Sequence, residues 1–436
     1  MPVSLFGSSG IRGKVGEQIT PEFFLEVGKA LGSLHERTVI GRDSRLSGPM
    51  LFSALVSGIT SSGADAFDAG MLPTPTLAYA ARHFDAGAVI TASHNPAEYN
   101  GIKLWTPEGM GYDEERKASV EGLLRTKQFR QADWRSVGEI HPSPGALREH
   151  KEAILRLGLR AELTVVLDCA SGPTGLITPY VLREMGCRVV ALNGQPDGHF
   201  PGRPPEPSEE NLTALKATVV SLKADLGLAH DGDGDRLVAI DDRGEFVGGD
   251  RLLPVFALEM VKRSLVIPVD ASMVVEDLLP KAEVHRTRVG DAFISEQVKK
   301  RNADFGAEPS GTWIFPKFSY CPDGVLAAAF LADLCQKEKL SVRLGRIPTY
   351  PILRGSLPYS KPPSEVQAAV HEALRGVEAT GMEESDGWRL TFEGGWGLVR
   401  LSGTEPKVRI LAEAREATKA KEIYDRLHSA TKRGIG

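Results

Sequence analysis

Blocks of apolar residues alternate with polar turns along the chain, and their periods predict strands followed by helices. Thr20 and Pro21 have the pattern of a helix cap and a first helical residue, and apolar side chains follow at helical spacing. The short apolar runs Thr38–Ile40 and Ala88–Ile90 predict buried strands. Strands and helices in this order predict a parallel or mixed sheet covered by helices.

The same order of elements recurs in two further units, and each unit leads into a loop of small residues. The predicted elements are helices near Glu149–Leu157, Asn211–Leu222 and Asp291–Arg301 and strands at Leu163–Asp168, Arg188–Leu192, Leu226–His230, Leu265–Pro268 and Met273–Glu276. The middle of the chain therefore continues the α/β pattern of its beginning.

The C-terminal part has a different pattern. The proline-rich stretch Pro348–Pro363 predicts a linker, and Ser364 has the pattern of a helix cap. Two strands are predicted at Trp388–Phe392 and Gly397–Leu401. We therefore predict an α/β protein of three mixed-sheet α/β domains and a smaller α+β C-terminal domain, with boundaries at 1–145, 146–246, 247–360 and 361–436.

Composition narrows the class of protein. Hydrophobic residues make up 42% and charged residues 25% of the chain, which is a globular balance, and a net charge of −5 without a dense basic run argues against a nucleic-acid partner. The four cysteines are far apart, which disfavours zinc and a disulfide framework and suits a reducing compartment. No signal peptide or membrane span is expected, so we expect a cytoplasmic protein. The cysteines are Cys169, Cys187, Cys321 and Cys335.

Asp231, Asp233 and Asp235 alternate with glycines and bring three carboxylates together within five residues. Arg236 stands where a calcium loop of the EF-hand type needs glycine, so Mg²⁺ is the better candidate for these oxygen ligands. An acidic surface turn is the alternative, but carboxylates this close repel one another unless a cation lies among them. The same position lets Arg236 reach an anion bound at the metal.

The N-terminal stretch Phe6–Lys14 resembles a phosphate loop without matching one. Ser8 and Val15 stand where the Walker pattern requires glycine and a hydroxyl residue. The stretch is still a small-residue loop in which Arg12 and backbone N–H groups could bind an anion. An ordinary N-terminal turn is the alternative.

Near the C-terminus, Ser402, Gly403 and Thr404 form a turn with Arg400 before it and Arg409 after it. Hydroxyls, backbone N–H groups and two guanidinium groups suit a phosphate. The alternative is a simple hairpin turn between strands.

The strand Ala88–Ile90 runs into Thr91–Pro96, where Pro96 stops the strand and Ser93 is the candidate nucleophile. Ligands of open α/β sheets bind at the carboxyl ends of strands. Lys103 could transfer protons if burial lowers its pKa. The alternative for Ser93 is an ordinary turn residue, and the alternative for Lys103 is a surface lysine. Together these residues indicate a Mg²⁺-dependent enzyme that acts on a phosphorylated small molecule.

Taken together, these stretches resemble the α-D-phosphohexomutase superfamily, in the same order and over essentially the whole chain. The resemblance implies four domains around a central cleft, related cores in the first three, and a mobile fourth domain with a hinge near residues 360–365. It implies a hexose phosphate as the small-molecule partner, and a homodimer stays open. The stretches are Phe6–Gly13, Thr91–Pro96, Asn100–Lys103, Asp231–Arg236, Glu308–Gly311 and Arg400–Arg409.

The resemblance also implies a role for each residue. Ser93 would be a phosphoserine that converts a hexose monophosphate into a bisphosphorylated hexose, which serves as intermediate and activator. Mg²⁺ would bind Asp231, Asp233, Asp235 and an oxygen on Ser93. Around the transferring phosphate would lie Arg12, His94 and Arg236, with Lys103 as general acid or base, Glu308 and Ser310 on sugar hydroxyls, and Arg400, Ser402, Gly403, Thr404 and Arg409 on the second phosphate.

The choice of sugar depends on a few positions. Asp291 and the stretch Ser402–Lys407 look like the phosphoglucosamine mutase branch, which interconverts glucosamine-6-phosphate and glucosamine-1-phosphate; phosphomannomutase/phosphoglucomutase enzymes more usually have histidine in place of Asp291. Pro309 and Thr312 depart from bacterial glucosamine enzymes and look like archaeal members.

Three alternatives stay open. A phosphomannomutase/phosphoglucomutase would act on mannose or glucose phosphates, and a metal-dependent sugar-phosphate phosphatase would release free phosphate. A non-catalytic sugar-phosphate sensor would be expected to lose Ser93 or the aspartates, and all four residues are present.

Overall fold

The computed structural model describes residues 5–7, 9–402 and 405–436. These residues form two compact units. Unit 1 comprises Met1–Met260 with Gly290–Leu344, and unit 2 comprises Val261–Val289 with Gly345–Gly436. No described helix is both long enough and apolar enough to cross a membrane.

Unit 1 begins with a sheet of six described strands in the order β1-β5-β4-β2-β3-β6, in which β5 runs antiparallel to β1 and β4 and the other pairs are parallel. As predicted, Thr20 caps the first helix, because its side chain accepts a hydrogen bond from Phe23 N at 3.2 Å. The elements are β1 (Ile11–Lys14), α1 (Pro21–Leu34), β2 (Arg37–Arg42), α2 (Gly48–Ser61), β3 (Asp65–Met71), α3 (Thr74–Ala80), β4 (Ala86–Ile90), β5 (Tyr99–Trp105), α4 (Glu114–Thr126), β6 (Ile140–Pro142) and α5 (Ala146–Leu155).

A second mixed sheet of unit 1 has the order β11-β10-β9-β7-β8, with β7 parallel to both β8 and β9 and with β10 antiparallel to β9. Strand β9 is entirely buried and ends at the aspartate loop. The elements are β7 (Thr164–Asp168), α6 (Thr178–Glu184), β8 (Arg188–Leu192), α7 (Thr213–Leu222), β9 (Leu226–His230), β10 (Leu237–Ile240) and β11 (Phe246–Val247).

The third region of the chain contributes elements to both units. In unit 2, β12 and β13 form a parallel pair, and in unit 1, β14 and β15 form an antiparallel pair. The elements are α8 (Gly249–Met260), β12 (Ser264–Pro268), α9 (Val274–Leu278), β13 (Glu283–Thr287), α10 (Asp291–Arg301), β14 (Phe305–Glu308), β15 (Thr312–Ile314), α11 (Gly324–Lys337) and α12 (Leu340–Gly345).

The C-terminal part of unit 2 is an antiparallel sheet in the order β16-β20-β19-β18-β17. Two helices, α13 and α14, bury apolar side chains such as Val370 and Leu427 in one core with the sheet residues Val399 and Ile410. The elements are β16 (Ile352–Pro358), α13 (Pro363–Arg375), β17 (Gly381–Glu383), β18 (Trp388–Phe392), β19 (Gly395–Leu401), β20 (Lys407–Ala414) and α14 (Ala417–Ile435).

The predicted fold class, three mixed-sheet α/β domains followed by a C-terminal sheet domain, is confirmed. One predicted strand, Met273–Glu276, is wrong, because this segment forms helix α9. Ser272 Oγ accepts a hydrogen bond from Val274 N at 3.1 Å, and Glu413 Oε2 accepts one from Met273 N at 2.7 Å. These bonds satisfy N–H groups at the helix start, which a reading of β-branched residues alone does not reveal.

Two further predictions need correction. The central part of the predicted linker, Ile352–Pro358, is the edge strand β16, which pairs along its whole length with β20. Prolines are tolerated there because an edge strand has N–H groups that need no partner in the sheet. Ser364 lies inside helix α13, which begins at Pro363, since proline is well suited to the first turn.

Candidate active site

Ser93 lies in a tight loop directly after strand β4. Every residue of that strand is buried. Its φ of 51° is in the left-handed region, which a serine adopts only when its surroundings hold it there. Ser93 N donates to Thr91 Oγ1 at 2.8 Å, and Thr91 Oγ1 donates to Asp43 Oδ2 at 2.7 Å. The loop is thus tied to the carboxylate that follows β2.

Arg45 fixes the same loop and was not recognised from the sequence. The side chain is fully buried, and its Nε donates to Asp43 Oδ2 at 3.1 Å. No local pattern marks this role, although an aspartate and an arginine two residues apart at a strand end are a weak signal. The two remaining guanidinium nitrogens, Nη1 and Nη2, donate to the carbonyls of Ser93 (2.9 Å), Asn95 (2.6 Å), Pro96 (2.6 Å) and Tyr99 (2.8 Å).

Arg203 performs the equivalent task in the second sheet and was not recognised from the sequence. Its Nε donates to Asp168 Oδ2 at 3.0 Å, and its Nη2 donates to the carbonyl of His230 at 2.6 Å. That carbonyl immediately precedes Asp231. Each of the two central loops of the site is therefore held by a buried arginine–aspartate pair.

Asp231, Asp233 and Asp235 are buried, and one carboxylate oxygen of each lies within 4.8 Å of the others. Glycines are required between them, one because the backbone of the serine loop comes close and one because of its backbone conformation. A Cβ on Gly232 would lie 2.4 Å from the carbonyl oxygen of Ser93, and Gly234 has a φ of +79°. The alternation seen in the sequence therefore brings the aspartate loop against the serine loop.

Ser93 and Lys103 both bond to the aspartates. Ser93 Oγ donates to Asp231 Oδ2 at 2.7 Å. Lys103 Nζ, on β5, donates to Asp233 Oδ2 at 2.8 Å and to Asp235 Oδ2 at 2.5 Å. The serine, the lysine and the three carboxylates thus form one connected group.

Burial and neighbouring charges shift the pKa values of these groups in different directions. Burial, then the neighbouring carboxylates, raise the pKa of Asp231 and of Asp235. Burial also acts on Asp233, but the Lys103 ammonium outweighs it and holds the pKa of Asp233 below its ordinary value. Burial acts to lower the pKa of Lys103, yet Asp233 and Asp235 outweigh it and the pKa is raised. Lys103 is therefore a buried ammonium, not the amine of lowered pKa that its burial alone would give.

The aspartate group fits a divalent metal ion. Within the described residues, the buried Oδ1 of Asp233 has no hydrogen-bond partner, which is costly unless something else satisfies it. Three converging carboxylates supply the oxygen ligands that Mg²⁺ prefers. The chemistry of the donors and the unpaired oxygen agree with a metal at this position.

His94 contacts Ser93, and Arg12 and Arg236 lie near His94, since the charges of both arginines act on its imidazole. His94 Nδ1 lies 3.4 Å from Ser93 Oγ, and Arg236 Nη1 lies 3.3 Å from Glu206 Oε1. Burial, then Arg236 and Arg12, lower the pKa of His94 to about 2, so its imidazole is neutral. An environment that disfavours a further positive charge favours an anion.

Glu308 ends β14 and adjoins this group, because Arg236 and Thr312 form a backbone bridge. Glu308 Oε1 accepts from Gly290 N at 2.6 Å, and Ser310 Oγ donates to Glu308 Oε2 at 3.0 Å. Ser310 Oγ and Thr312 Oγ1 are 3.0 Å apart. Burial, then the charge of Asp291, raise the pKa of Glu308 to about 7.

Two of the possible specificity residues have structural contacts. Asp291 is the first residue of α10, and its Oδ1 accepts a hydrogen bond from Ser9 Oγ in the N-terminal loop that leads to Arg12. The carbonyl of Pro309 packs on Gly249, where a Cβ would lie only 2.2 Å from it. Both positions are thus fixed by their neighbours in unit 1.

In unit 2, Arg400 on β19 and Arg409 on β20 are direct cross-strand partners. Their side chains therefore share one face of the sheet, where like charges repel unless an anion joins them. Ser402 follows β19, and its N–H donates to the carbonyl of Lys407 at 2.8 Å. The predicted residues Gly403 and Thr404 lie outside the described residues.

Arg400 and Arg409 line a cavity of about 400 Å³ in unit 2. Two of its charged residues, Arg354 on β16 and Asp270 after β12, were not recognised from the sequence, because neither lies near a motif. Register explains Arg354: Ser356 pairs with Arg409, so Arg354, two residues away, lies on the same face of the sheet. Both residues come from segments far from the phosphate turn in the chain.

Models of four consecutive domains of one family match the chain. They are described as "Phosphoglucomutase/phosphomannomutase, alpha/beta/alpha domain I" at residues 3–131, domain II at 150–244, domain III at 248–350 and the C-terminal domain at 361–430. Together they span most of the sequence, in the order of the domains.

Individual proteins are similar over the same length. A Methanocella arvoryzae protein named "Probable phosphoglucosamine mutase" is 49% identical over 99% of each chain. A Thermococcus kodakarensis protein named "Phosphoglucomutase/phosphomannomutase" is 41% identical over 97% of each chain. The crystal structure of a phosphoglucomutase/phosphomannomutase family protein from Burkholderia thailandensis has a TM-score of 0.89 at 26% identity, over 99% of this chain and 98% of that chain.

Proposed function

The chain belongs to the phosphoglucomutase/phosphomannomutase family of the α-D-phosphohexomutase superfamily, and we propose that it interconverts glucosamine-6-phosphate and glucosamine-1-phosphate. The family makes it a phosphosugar mutase, an isomerase. The amino sugar, the phosphoserine at Ser93 and the bisphosphorylated intermediate are the parts that we propose.

The hydrogen bond from Ser93 Oγ to Asp231 at 2.7 Å is the observation that carries the proposed mechanism. It places the serine hydroxyl beside the carboxylates that fit a metal. Phosphoryl transfer depends mainly on positioning and charge neutralisation, so a phosphate carrier belongs at such a place. Mg²⁺, held by Asp231, Asp233 and Asp235 with an oxygen on Ser93, would supply the neutralisation of charge on the phosphoryl group.

Transfer from phosphorylated Ser93 to the free hydroxyl of a hexose monophosphate breaks the serine O–P bond and forms a sugar O–P bond. The proton of the sugar hydroxyl replaces the phosphoryl group on Ser93 Oγ. Lys103, whose pKa lies above its ordinary value because of Asp233 and Asp235, is an ammonium at the start. We assign Lys103 first to the acid role: it delivers a proton to the departing Ser93 oxygen and takes up the proton of the sugar hydroxyl, so the net proton transfer is from the sugar to Ser93 Oγ.

The second half of the reaction reverses these steps with the other phosphate of the bisphosphorylated sugar, so Ser93 is phosphorylated again. Arg12, His94 and Arg236 hold the transferring phosphoryl group. In the proposal, Glu308 and Ser310 bind sugar hydroxyls, while Arg400, Ser402, Gly403, Thr404 and Arg409 hold the phosphate that stays on the sugar.

The preference for an amino sugar is supported by the names of the relatives at 47–49% identity, which are "Probable phosphoglucosamine mutase". Asp291 supports the same choice. The Thermococcus relative, named "Phosphoglucomutase/phosphomannomutase", supports mannose or glucose phosphate as the second candidate.

A substrate panel tests the proposal. Glucosamine-6-phosphate, mannose-6-phosphate and glucose-6-phosphate are offered at fixed Mg²⁺ with a bisphosphorylated activator, and ³¹P NMR follows the conversion to the 1-phosphate. We expect kcat/KM for glucosamine-6-phosphate to exceed the others at least about tenfold, or ~1.4 kcal/mol in transition-state binding. A preference for mannose or glucose phosphate would refute the amino-sugar assignment, and release of free phosphate alone would refute mutase activity.

A further inference from the structure

The cavity of unit 2 contains a charge that a pure phosphate site does not need. Three arginines, Arg354, Arg400 and Arg409, line it, and so does the carboxylate of Asp270. A carboxylate beside a phosphate repels it and weakens binding. The cavity therefore suits a ligand that brings a positive charge together with its phosphate.

The segment that carries Asp270 is firmly attached to the C-terminal sheet of unit 2. On one side of Asp270, Val269 is fully buried in a cluster with Trp396 and Leu398. On the other side, Ser272 Oγ donates to Glu413 Oε1 at 2.6 Å. Attachments on both sides fix the backbone of Asp270 relative to the arginines on β19 and β20.

Asp270 has hydrogen-bonding capacity to spare. Among residues 5–7, 9–402 and 405–436, its buried Oδ1 has no hydrogen-bond partner. Arg400 already pairs with a different carboxylate, since its Nη1 donates to Asp386 Oδ2 at 2.7 Å. Asp386 is thus the counterion of Arg400, and the Oδ1 of Asp270 stays without a hydrogen-bond partner. Burial raises the pKa of Asp270, and the charge of Arg400 opposes that shift.

We propose that Asp270 determines specificity by accepting a hydrogen bond from the ammonium group of an amino-sugar phosphate whose phosphate is bound by Arg400 and Arg409. This inference rests on the proposed function. In glucosamine-1-phosphate the ammonium and the phosphate are on neighbouring carbons, so one molecule presents both charges within a short distance. A sugar with a hydroxyl in place of the amine still donates a hydrogen bond but brings no positive charge to the carboxylate, so it binds less tightly.

The test measures selectivity in Asp270→Asn. This substitution keeps the shape of the side chain and removes its charge. We expect the ratio of kcat/KM for glucosamine-1-phosphate to that for glucose-1-phosphate to fall at least about tenfold, the size of one charge-assisted hydrogen bond. Both substrates are measured on the same preparation, so a fraction of misfolded protein cancels from the ratio.

Asp386→Asn is the matched control, because Asp386 also faces Arg400 but is already paired. We expect it to lower kcat/KM for both sugars by similar factors, since it acts through the position of the arginine. The ratio should then stay within about twofold of the wild-type ratio. An equal loss of selectivity in the two variants would overturn the specific role of Asp270.

The two proposals fail in different ways. A wild-type enzyme without preference for the amino sugar contradicts the proposed function. A wild-type preference that survives intact in Asp270→Asn overturns the role of Asp270 and leaves the proposed function standing. A lower KM for glucose-1-phosphate in this variant supports the inference, since removing the carboxylate removes its repulsion of the phosphate.

Discussion

Single residues of unit 1 titrate differently because their neighbours differ, even when their residue type is the same. Burial raises the pKa of Asp231 and the neighbouring carboxylates add to the shift, whereas at Asp233 the Lys103 ammonium outweighs burial and lowers the pKa. Motif spacing indicates that the aspartates meet, but the direction in which each pKa shifts depends on partners that the motif does not show. Lys103, the decisive partner, comes from a strand more than a hundred residues earlier in the chain.

Glu308 offers a test of this electrostatic environment. Its pKa is raised from 4.5 to about 7 by burial and by Asp291, so the folded state holds a proton that the unfolded state has already lost. The free energy of unfolding should therefore fall as pH rises between these values. From about pH 5 to about pH 8, wild type should lose roughly 2–3 kcal/mol relative to Glu308→Gln, measured by urea denaturation. Parallel pH profiles of the two proteins would contradict the raised pKa.

Asp233 tests the metal site by a measurement other than activity. Mg²⁺ that binds the folded carboxylates stabilises the protein by about 2.7 kcal/mol at a hundredfold excess over Kd, so Tm should rise by a few degrees. Asp233→Asn should remove most of that rise, because it removes the negative charge of a ligand and replaces one of its two oxygens with an NH₂ group. The exposed Asp425→Asn should keep it. A full Mg²⁺-induced rise in Asp233→Asn would contradict the assignment.

At the scale of elements, two strand-end loops form the centre of the site, and each is held by a buried arginine. Local patterns were enough to predict β4, β9 and α1, because period and capping residues are properties of neighbouring positions. They failed for α9 and β16. The start of α9 is bonded to Glu413 and the partner of β16 is β20, and both partners lie far away in the sequence.

Arg45→Lys tests whether the serine loop needs its arginine. Lysine has too few donors to replace the bonds to four carbonyls and Asp43, so we expect a loss of about 2–4 kcal/mol in stability and a fall in kcat on the order of tenfold to hundredfold. Denaturation and steady-state kinetics measure the two effects. Arg130→Lys is the control, since Arg130 binds the carbonyls of Gly32 and Ser62 by comparable bonds and has no contact with the serine loop.

Loss of stability in both variants, with loss of kcat in Arg45→Lys alone, would agree with a positioning role for Arg45. A kcat within about twofold of wild type in Arg45→Lys would show that the arginine serves folding only.

At the scale of the whole molecule, the third region of the chain is divided between two compact units. Strands β12 and β13 fall in the same unit as the C-terminal sheet, whereas β14 and β15 fall in unit 1. Contacts between segments that are far apart in the chain are not visible in local residue patterns. Asp270 was missed for this reason, because its significance depends on arginines on β19 and β20, more than a hundred residues away.

Glu413 links the β12–α9 segment of unit 2 to the C-terminal sheet, and its removal tests this link. It is fully buried and accepts hydrogen bonds from Ser272 Oγ, Met273 N and Trp396 Nε1. Glu413→Ala leaves these donors unpaired, so we expect a loss of about 2–4 kcal/mol. Hydrogen exchange should accelerate in peptides from β12, β19 and β20 and stay unchanged in β4 and β9. The exposed Glu416→Ala should resemble wild type, and uniform acceleration in Glu413→Ala would contradict two separate units.

The central claim is that the phosphoryl group resides on Ser93 between turnovers, and a label-transfer experiment tests it most directly. Protein that carries a ³²P-labelled phosphoryl group on Ser93 is mixed with excess unlabelled glucosamine-6-phosphate and Mg²⁺, and the label is followed in the protein, in the sugar phosphates and in free phosphate. Ser93→Ala is the control that carries no label. We predict that the label passes to the sugar phosphates while intact-mass spectrometry shows Ser93 phosphorylated again by unlabelled phosphate. Label that stays on Ser93, or that appears only as free phosphate, would contradict the phosphoserine mechanism.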